Sequence, residues 1–237
     1  MHAPDWRSSE RVDYTLRLFE ILAKLLPQGM DGGISTSPLS YRFWFSDNNE
    51  LQKAMLMATE NIIRTAENLI KIRKETGIKL HLDIEPEPDG ILESGAEFID
   101  WYENVLLPLA KETLPKLLHI TEEETEKLIK EHICLCYDVC HFAIGYESHG
   151  EVLKQLSERG IRVGKIQISA ALKADLPSEI QSTQSDILDV LKVQQEQPFT
   201  THMEVETYTW EVLPESLKLP IDQSIIRELN WVSEIMR

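Results

Sequence analysis

Apolar and polar positions switch between two periods along the chain. Val12, Leu16, Phe19, Leu22, Ala23 and Leu26 recur at helical spacing between a capping Ser8 or Ser9 and Pro27. Leu51, Met55, Ala58, Ile62, Ala66, Leu69 and Ile70 mark a longer helix opened by Asn48 or Asn49 and closed by Gly77. Further helices are predicted over Glu97–Thr113, from Thr121 (where T-E-E-E reads as a capping box), over Glu151–Glu158, from about Pro177 to Lys192, and from Ile221 or Ile225 to Met236. Between them lie short period-two stretches: Gly33–Leu39 with its exit loop, His81–Glu85, Ile133–Asp138, Arg162–Ser169 and Thr201–Glu206, and Met1–Trp6 reads as the end of a sixth strand. Strands alternating with helices imply a parallel sheet with right-handed crossovers.

The strands are two-faced. Residues alternate between faces of a strand, which groups His81, Asp83 and Glu85; Cys134, Cys136 and Asp138; Lys165, Gln167 and Ser169; and His202, Glu204 and Glu206. The opposite positions are mostly apolar. A sheet sandwiched between helices is apolar on both faces, so one polar face in every strand points to a barrel with a polar interior and helices outside. A complete (β/α)₈ barrel needs eight strands. The expected fold is therefore α/β, a single 1–237 domain that is either an open sheet or a TIM barrel holding about the last five to six βα units.

Pro86 and Pro88 end the second strand, since neither can donate a ladder hydrogen bond. Glu85 is thus held at a strand tip, with Glu87, Asp89 and Glu93 just beyond, on the edge where α/β folds build their sites. Asp138 and Glu206 occupy matching tips. A lone carboxylate at a strand end is commonly a helix cap or surface charge. Three in matching positions would repel one another, and a divalent cation relieves that repulsion; mixed carboxylate, amide and imidazole donors suit Mn²⁺, Mg²⁺, Fe²⁺, Co²⁺ or Zn²⁺.

The segments I-E-P-E-P-D-G, Y-D-V-C-H, K-I-Q-I-S and M-E-V-E-T-Y resemble the last four strand ends of the xylose isomerase-like barrel superfamily of sugar-phosphate isomerases, epimerases and endonuclease IV-type enzymes. That resemblance implies metal ligation by Glu85, Asp138, Gln167 and Glu206, with Gln167 standing where the family usually has histidine. It also implies proton transfer by Glu85 and Glu206, and substrate contact by His141. Glu87 and Trp210 are further candidates for substrate contact. Adding A-P-D-W-R-S, I-S-T-S-P-L-S-Y and H-M-E-V-E-T-Y-T-W, the chain is similar along essentially its whole length to the EboE family of metabolite traffic proteins. That family is tied to a bacterial gene cluster implicated in moving prenylated or pigment-type precursors out of the cytoplasm. Its members are longer at the N-terminus, so the resemblance implies a form without the first strands. The implied partners are a small-molecule metabolite and other proteins of the export pathway. The competing expectation is a non-catalytic carrier that keeps the barrel without metal.

Charge and cysteine content narrow the setting. A net charge of −16 argues against nucleic acid and anionic membranes as partners. No apolar run approaches a membrane span, no signal-peptide pattern opens the chain, and three closely spaced cysteines fit a reducing cytoplasm. Cys134, Cys136 and Cys140 lack zinc-site loop spacing and read as buried small side chains, with Cys140 close enough to the strand tips to be a reactive thiol. Trp6, Phe43, Trp44 and Phe45 fall on loops at the presumed functional end and are candidates for an organic ligand or partner surface.

Overall fold

The computed structural model describes residues 2–170, 172–174, 180–182, 184–206 and 219–237. Helix α1 (Ser9–Leu25) is capped by Ser8, whose side chain accepts from the Glu10 N–H, and strand β1 (Gly32–Thr36) follows. Helix α2 (Asn48–Thr76) is capped by Asp47, one residue before the expected asparagines, because its carboxylate reaches both the Asn49 and Glu50 N–H groups. Gly77 closes that helix at φ 76°, a left-handed conformation that glycine adopts without a Cβ penalty. Strand β2 (Leu80–Ile84) leads to α3 (Gly95–Trp101), a π-helical turn (Tyr102–Leu106) and α4 (Leu107–Leu118). The single helix expected over Glu97–Thr113 is thus longer and interrupted, with the π turn lying just before Pro108, which has no N–H to give.

Helix α5 (Glu122–His132) carries the expected capping box between Thr121 and Glu124. Strand β3 (Ile133–Asp138), α6 (Val139–Ile144), α7 (His149–Glu158) and β4 (Val163–Ile168) come next. Two short strands, β5 (Leu172–Ala174) and β6 (Ile180–Ser182), pair antiparallel. Of the two, β6 falls within the stretch read as the start of a helix; α8 instead spans Gln184–Glu196. Strand β7 (Met203–Val205) and α9 (Ile221–Ile235) complete the described elements. The six-residue N-terminal stretch read as a strand end contains bends and a turn over its described part. It is tied down by the Trp6 N–H to the Leu39 carbonyl and by the Trp6 indole to Thr36, both at 3.0 Å.

The main sheet has the order β1-β2-β3-β4-β7, parallel throughout. Its apolar face, including Leu82, Ile84, Leu135, Tyr137, Ile166 and Ile168, joins Ile62, Ala66, Leu69, Phe98, Trp101 and Ile129 of the helices in one core. Each such aliphatic side chain contributes roughly 1.5–3 kcal/mol on burial. The sheet curls into a half-barrel. Adjacent strands lie about 4.8 Å apart, so in a flat sheet β1 and β4 would be separated by three such steps. Here Lys165 of β4 donates to Ser35 of β1 at 3.2 Å, and Arg162 reaches Asp31 at 2.5 Å. The α/β class, the parallel order and the polar interior agree with the sequence; the curled sheet fits part of a barrel.

Two glycines make room for the polar interior. A Cβ on Gly33 would lie 2.2 Å from the His81 ring, and one on Gly164 would lie 1.9 Å from Asp83 Oδ1. Gly164 also sits where the β3–β4 register slips, Leu135 pairing with Val163 and Cys136 with Lys165, so it is the extra residue of a bulge. Gly164→Ala is expected to destabilise by about 1–3 kcal/mol through overpacking. Gly150→Ala, with open space around the new carbon, is expected to be neutral or better in helix α7. Urea unfolding midpoints of the two variants check this contrast.

Candidate functional site

The strand tips are fixed by the last rungs of the ladder. The Glu85 N–H donates to the Thr36 carbonyl and the Glu206 N–H to the Ile168 carbonyl, each at 2.9 Å. Asp138 ends β3 and caps α6, accepting from the Cys140 N–H at 2.9 Å and the His141 N–H at 3.4 Å; the Ser169 hydroxyl donates to the same oxygen.

The three carboxylates meet at one amide. Gln167 Nε2 lies 2.6 Å from Glu206 Oε1, 3.3 Å from Asp138 Oδ2 and 3.4 Å from Glu85 Oε1. Its Oε1 accepts from the Cys136 thiol, so the neighbours on both sides dictate which way the amide faces. Two N–H bonds are shared among three acceptors. His141 completes the group, its Nδ1 standing 3.2 Å from the Pro86 carbonyl, 3.5 Å from Glu85 Oε1 and 3.9 Å from Asp138 Oδ2. Glu85, Asp138, Gln167, Glu206 and His141, all named from the sequence, therefore come together. Glu87 is buried beside them, 3.6 Å from His2. Trp210 lies outside the described residues.

Glu85 is pushed up to about 8, first by desolvation and then by the charges of Asp138, Glu206, Glu87 and Glu204. Burial also raises Glu87. Such a cluster fits a divalent cation: hard carboxylate oxygens from three strands, an imidazole, and an amide that can offer oxygen by turning over. Beside it opens a cleft of about 250 Å³, lined by Ser35, Thr36, Ser37, Glu85, Glu87, Gln167, Glu206 and Arg11. Arg11 and the serines were not anticipated. Arg11 sits outside the apolar stripe of its helix, and Ser35 continues the period-two polar face into β1, which was the one available signal.

Several expectations are corrected. The Cys140 thiol is buried and pushed up to about 12, mainly by desolvation and then by Asp138, which works against its acting as a thiolate. All three cysteines are free and buried, as anticipated. Trp6 is fully buried and structural, and Phe45 packs on the core with Arg7 over its ring at 4.9 Å. Phe43 and Trp44 are exposed, at 67% and 48%, and cluster with Tyr41. Among the described residues no helix is long and apolar enough to cross a membrane.

The fold and site together define an α/β half-barrel with an acidic cluster at the C-terminal edge of its parallel sheet. No protein-family model matches the chain, and no curated protein matches it.

The raised Glu85 couples the site to stability. In the folded state it keeps its proton to about 8, whereas its ordinary value is 4.5. Between those limits the unfolded chain binds fewer protons, so this group's contribution is full below about pH 4.5, falls as pH rises, and is gone above about 8. Its slope approaches about 1.4 kcal/mol per pH unit. Urea unfolding in EDTA at several pH values is expected to show Glu85→Gln losing this part of the dependence and gaining on wild type as pH rises towards 8.

Proposed function

We propose that this protein handles a small organic precursor destined for export, as its similarity to the EboE family implies, using a cation site of the xylose isomerase-like kind. The observation that carries the reading is the convergence of Glu85, Asp138 and Glu206 from three strand tips on the amide of Gln167. Glu85, Asp138, Gln167 and Glu206 would hold the ion. When bound, a divalent ion supplies Lewis-acid polarisation of a carbonyl or hydroxyl oxygen.

The chain's own groups divide the remaining work. Glu85 and Glu206 flank Gln167 and are the proton carriers, the buried Glu85 being the one that holds a proton near neutrality without a cation. His141, half-buried between Pro86 and Glu85, orients the ligand. Ser35, Ser37 and Arg11 line the cleft, giving hydroxyl contacts and one positive group to an oxygen-rich ligand. Glu87, at the rim beside His2, restricts access.

A second reading, a carrier without metal, is favoured by one feature. The Gln167 nitrogen, not its oxygen, faces the carboxylates, so an N–H donor already sits where a cation would.

Mn²⁺ equilibrium dialysis separates the two. The metal-dependent reading expects about one Mn²⁺ per chain, lost in Glu85→Gln and in Asp138→Asn, with Gln167→His binding more tightly by about tenfold or more. Wild type that takes up no Mn²⁺ at millimolar concentration supports the carrier and sinks the metal-dependent reading.

A further inference from the structure

A second polar cluster lies one level deeper in the half-barrel. His81 precedes Glu85 by four residues on the same strand face, which at the strand rise of about 3.3 Å places it roughly 13 Å from that tip. His81 and Asp83 are completely buried, and His81 Nδ1 lies 2.6 Å from Asp83 Oδ1. With Nδ1 committed to that carboxylate, Nε2 is the nitrogen His81 has to offer, and it has no hydrogen-bond partner among the described residues. A buried ring nitrogen without a partner is costly. The Asp31 carboxylate and the His202 imidazole stand near the His81 ring: one donor atom from each of Asp31, His81 and His202 falls within 4.8 Å of the others.

We infer that Asp31, His81 and His202 form a second metal site, specific for a borderline transition ion such as Zn²⁺ and separate from the carboxylate cluster at the strand tips. Three observations converge on it. His202 Nε2 is 3.1 Å from Asp31 Oδ1, close to the roughly 3.0–3.4 Å that separates two ligands of one ion with bonds of about 2.0–2.1 Å. Arg162 holds the other oxygen, Asp31 Oδ2, at 2.5 Å, which leaves Oδ1 to face His202. Asp83 behind His81 has the arrangement of an outer carboxylate that fixes the tautomer and orientation of a ligating imidazole.

The donor set also discriminates between ions. Two imidazole nitrogens and one carboxylate oxygen suit Zn²⁺, Co²⁺ or Fe²⁺, whereas the tip cluster of carboxylates suits Mn²⁺ or Mg²⁺. Asp31 and His202 remain partly exposed, at 23% and 25% of their side chains, so an ion can reach the site while His81 stays enclosed. The ligands come from three places distant in sequence: the turn before β1, the start of β2 and the residue before β7. An ion there would tie β7, at one end of the sheet order, to β1 and β2 at the other, a structural role rather than a catalytic one.

The test is Zn²⁺ binding to the full chain carrying Glu85→Gln and Asp138→Asn, which removes the tip cluster, so that this inference and the reading of that cluster fail separately. About one Zn²⁺ per chain is expected by equilibrium dialysis, with a rise in melting temperature. Adding His202→Ala is expected to weaken binding about 100-fold or more, and Asp83→Asn, through its effect on His81, about 10- to 100-fold. Circular dichroism in EDTA verifies that each variant is folded; should His202→Ala fail to fold, Asp31→Asn takes its place. No Zn²⁺ uptake by the Glu85→Gln/Asp138→Asn protein, or uptake that His202→Ala or Asp31→Asn leaves unchanged, would overturn the inference.

Discussion

Everything in this fold depends on compensating charge buried on one face of a parallel sheet. Parallel sheets are ordinarily apolar on both faces, and taking an ion out of water costs several kcal/mol even after relaxation. Here the inner face carries Asp83, Glu85, Asp138, Glu204 and Glu206 along β2, β3 and β7. Near the start of the strands, cations answer them: Arg162 binds Asp31, and Lys165 binds Glu204 at 3.0 Å. Burial works against the charge on Asp31, yet the hydrogen bonds from Arg162 and His202 outweigh it and hold the group at about 2. At the tips the balance is different. Among the described residues the ion partner of both Glu85 and Asp138 is His141, and burial, with the uncompensated carboxylates beside it, leaves Glu85 keeping its proton to about 8. The same sheet thus has a base with matched charge and a rim in carboxylate excess, and excess at a rim beside a cleft is what a cation or a protonated ligand can use.

The outer face makes this arrangement affordable in packing terms. The helices bury one continuous apolar surface against the sheet, which fixes register, and register fixes which residues point inward. The backbone does the final placing: ladder bonds hold Glu85 and Glu206, and the cap of α6 holds Asp138. Gly33 and Gly164 admit the His81–Asp83 pair by lacking side chains of their own. The precision of the polar groups therefore comes from apolar packing and main-chain hydrogen bonds, not from the charges themselves.

Much of this was legible in the sequence, for identifiable reasons. Period-two alternation gave the inner-facing residues of β2, β3 and β4 because those strands are central and buried on both sides. It also brought Glu85, Asp138, Gln167 and Glu206 together, since residues at matching strand ends must converge when a sheet curls. Alternation says nothing about partners distant in sequence, so the Asp31–Arg162 and Asp31–His202 contacts, across 131 and 171 residues, could not be read. Trp6 was misplaced because an aromatic on a loop looks the same whether it faces solvent or, as here, plugs the interior. The β5–β6 pair was missed because an apolar–polar mixture such as L-K-A carries no clear period over three residues. Local chemistry placed caps to within a residue: Thr121 as named, and Asp47 in place of the adjacent asparagines.

Gln167 lies at the centre of the tip cluster. A neutral histidine at this position would offer a single N–H donor, with its acceptor on the other ring nitrogen. An amide carries both functions side by side, and the protein uses them on opposite sides, oxygen to the Cys136 thiol and nitrogen to the carboxylates. Burial keeps the Cys136 thiol protonated, far above its ordinary range, so it remains a donor and favours this orientation. For the amide oxygen to meet a cation, the side chain has to turn over, losing the thiol contact and three N–H contacts to carboxylates. Those lost contacts subtract from metal affinity, while the relief of repulsion among Glu85, Asp138 and Glu206 adds to it. The residue thereby makes the tip cluster tolerable without an ion and tunable with one, which is a different design from a site whose ligands have no other partners.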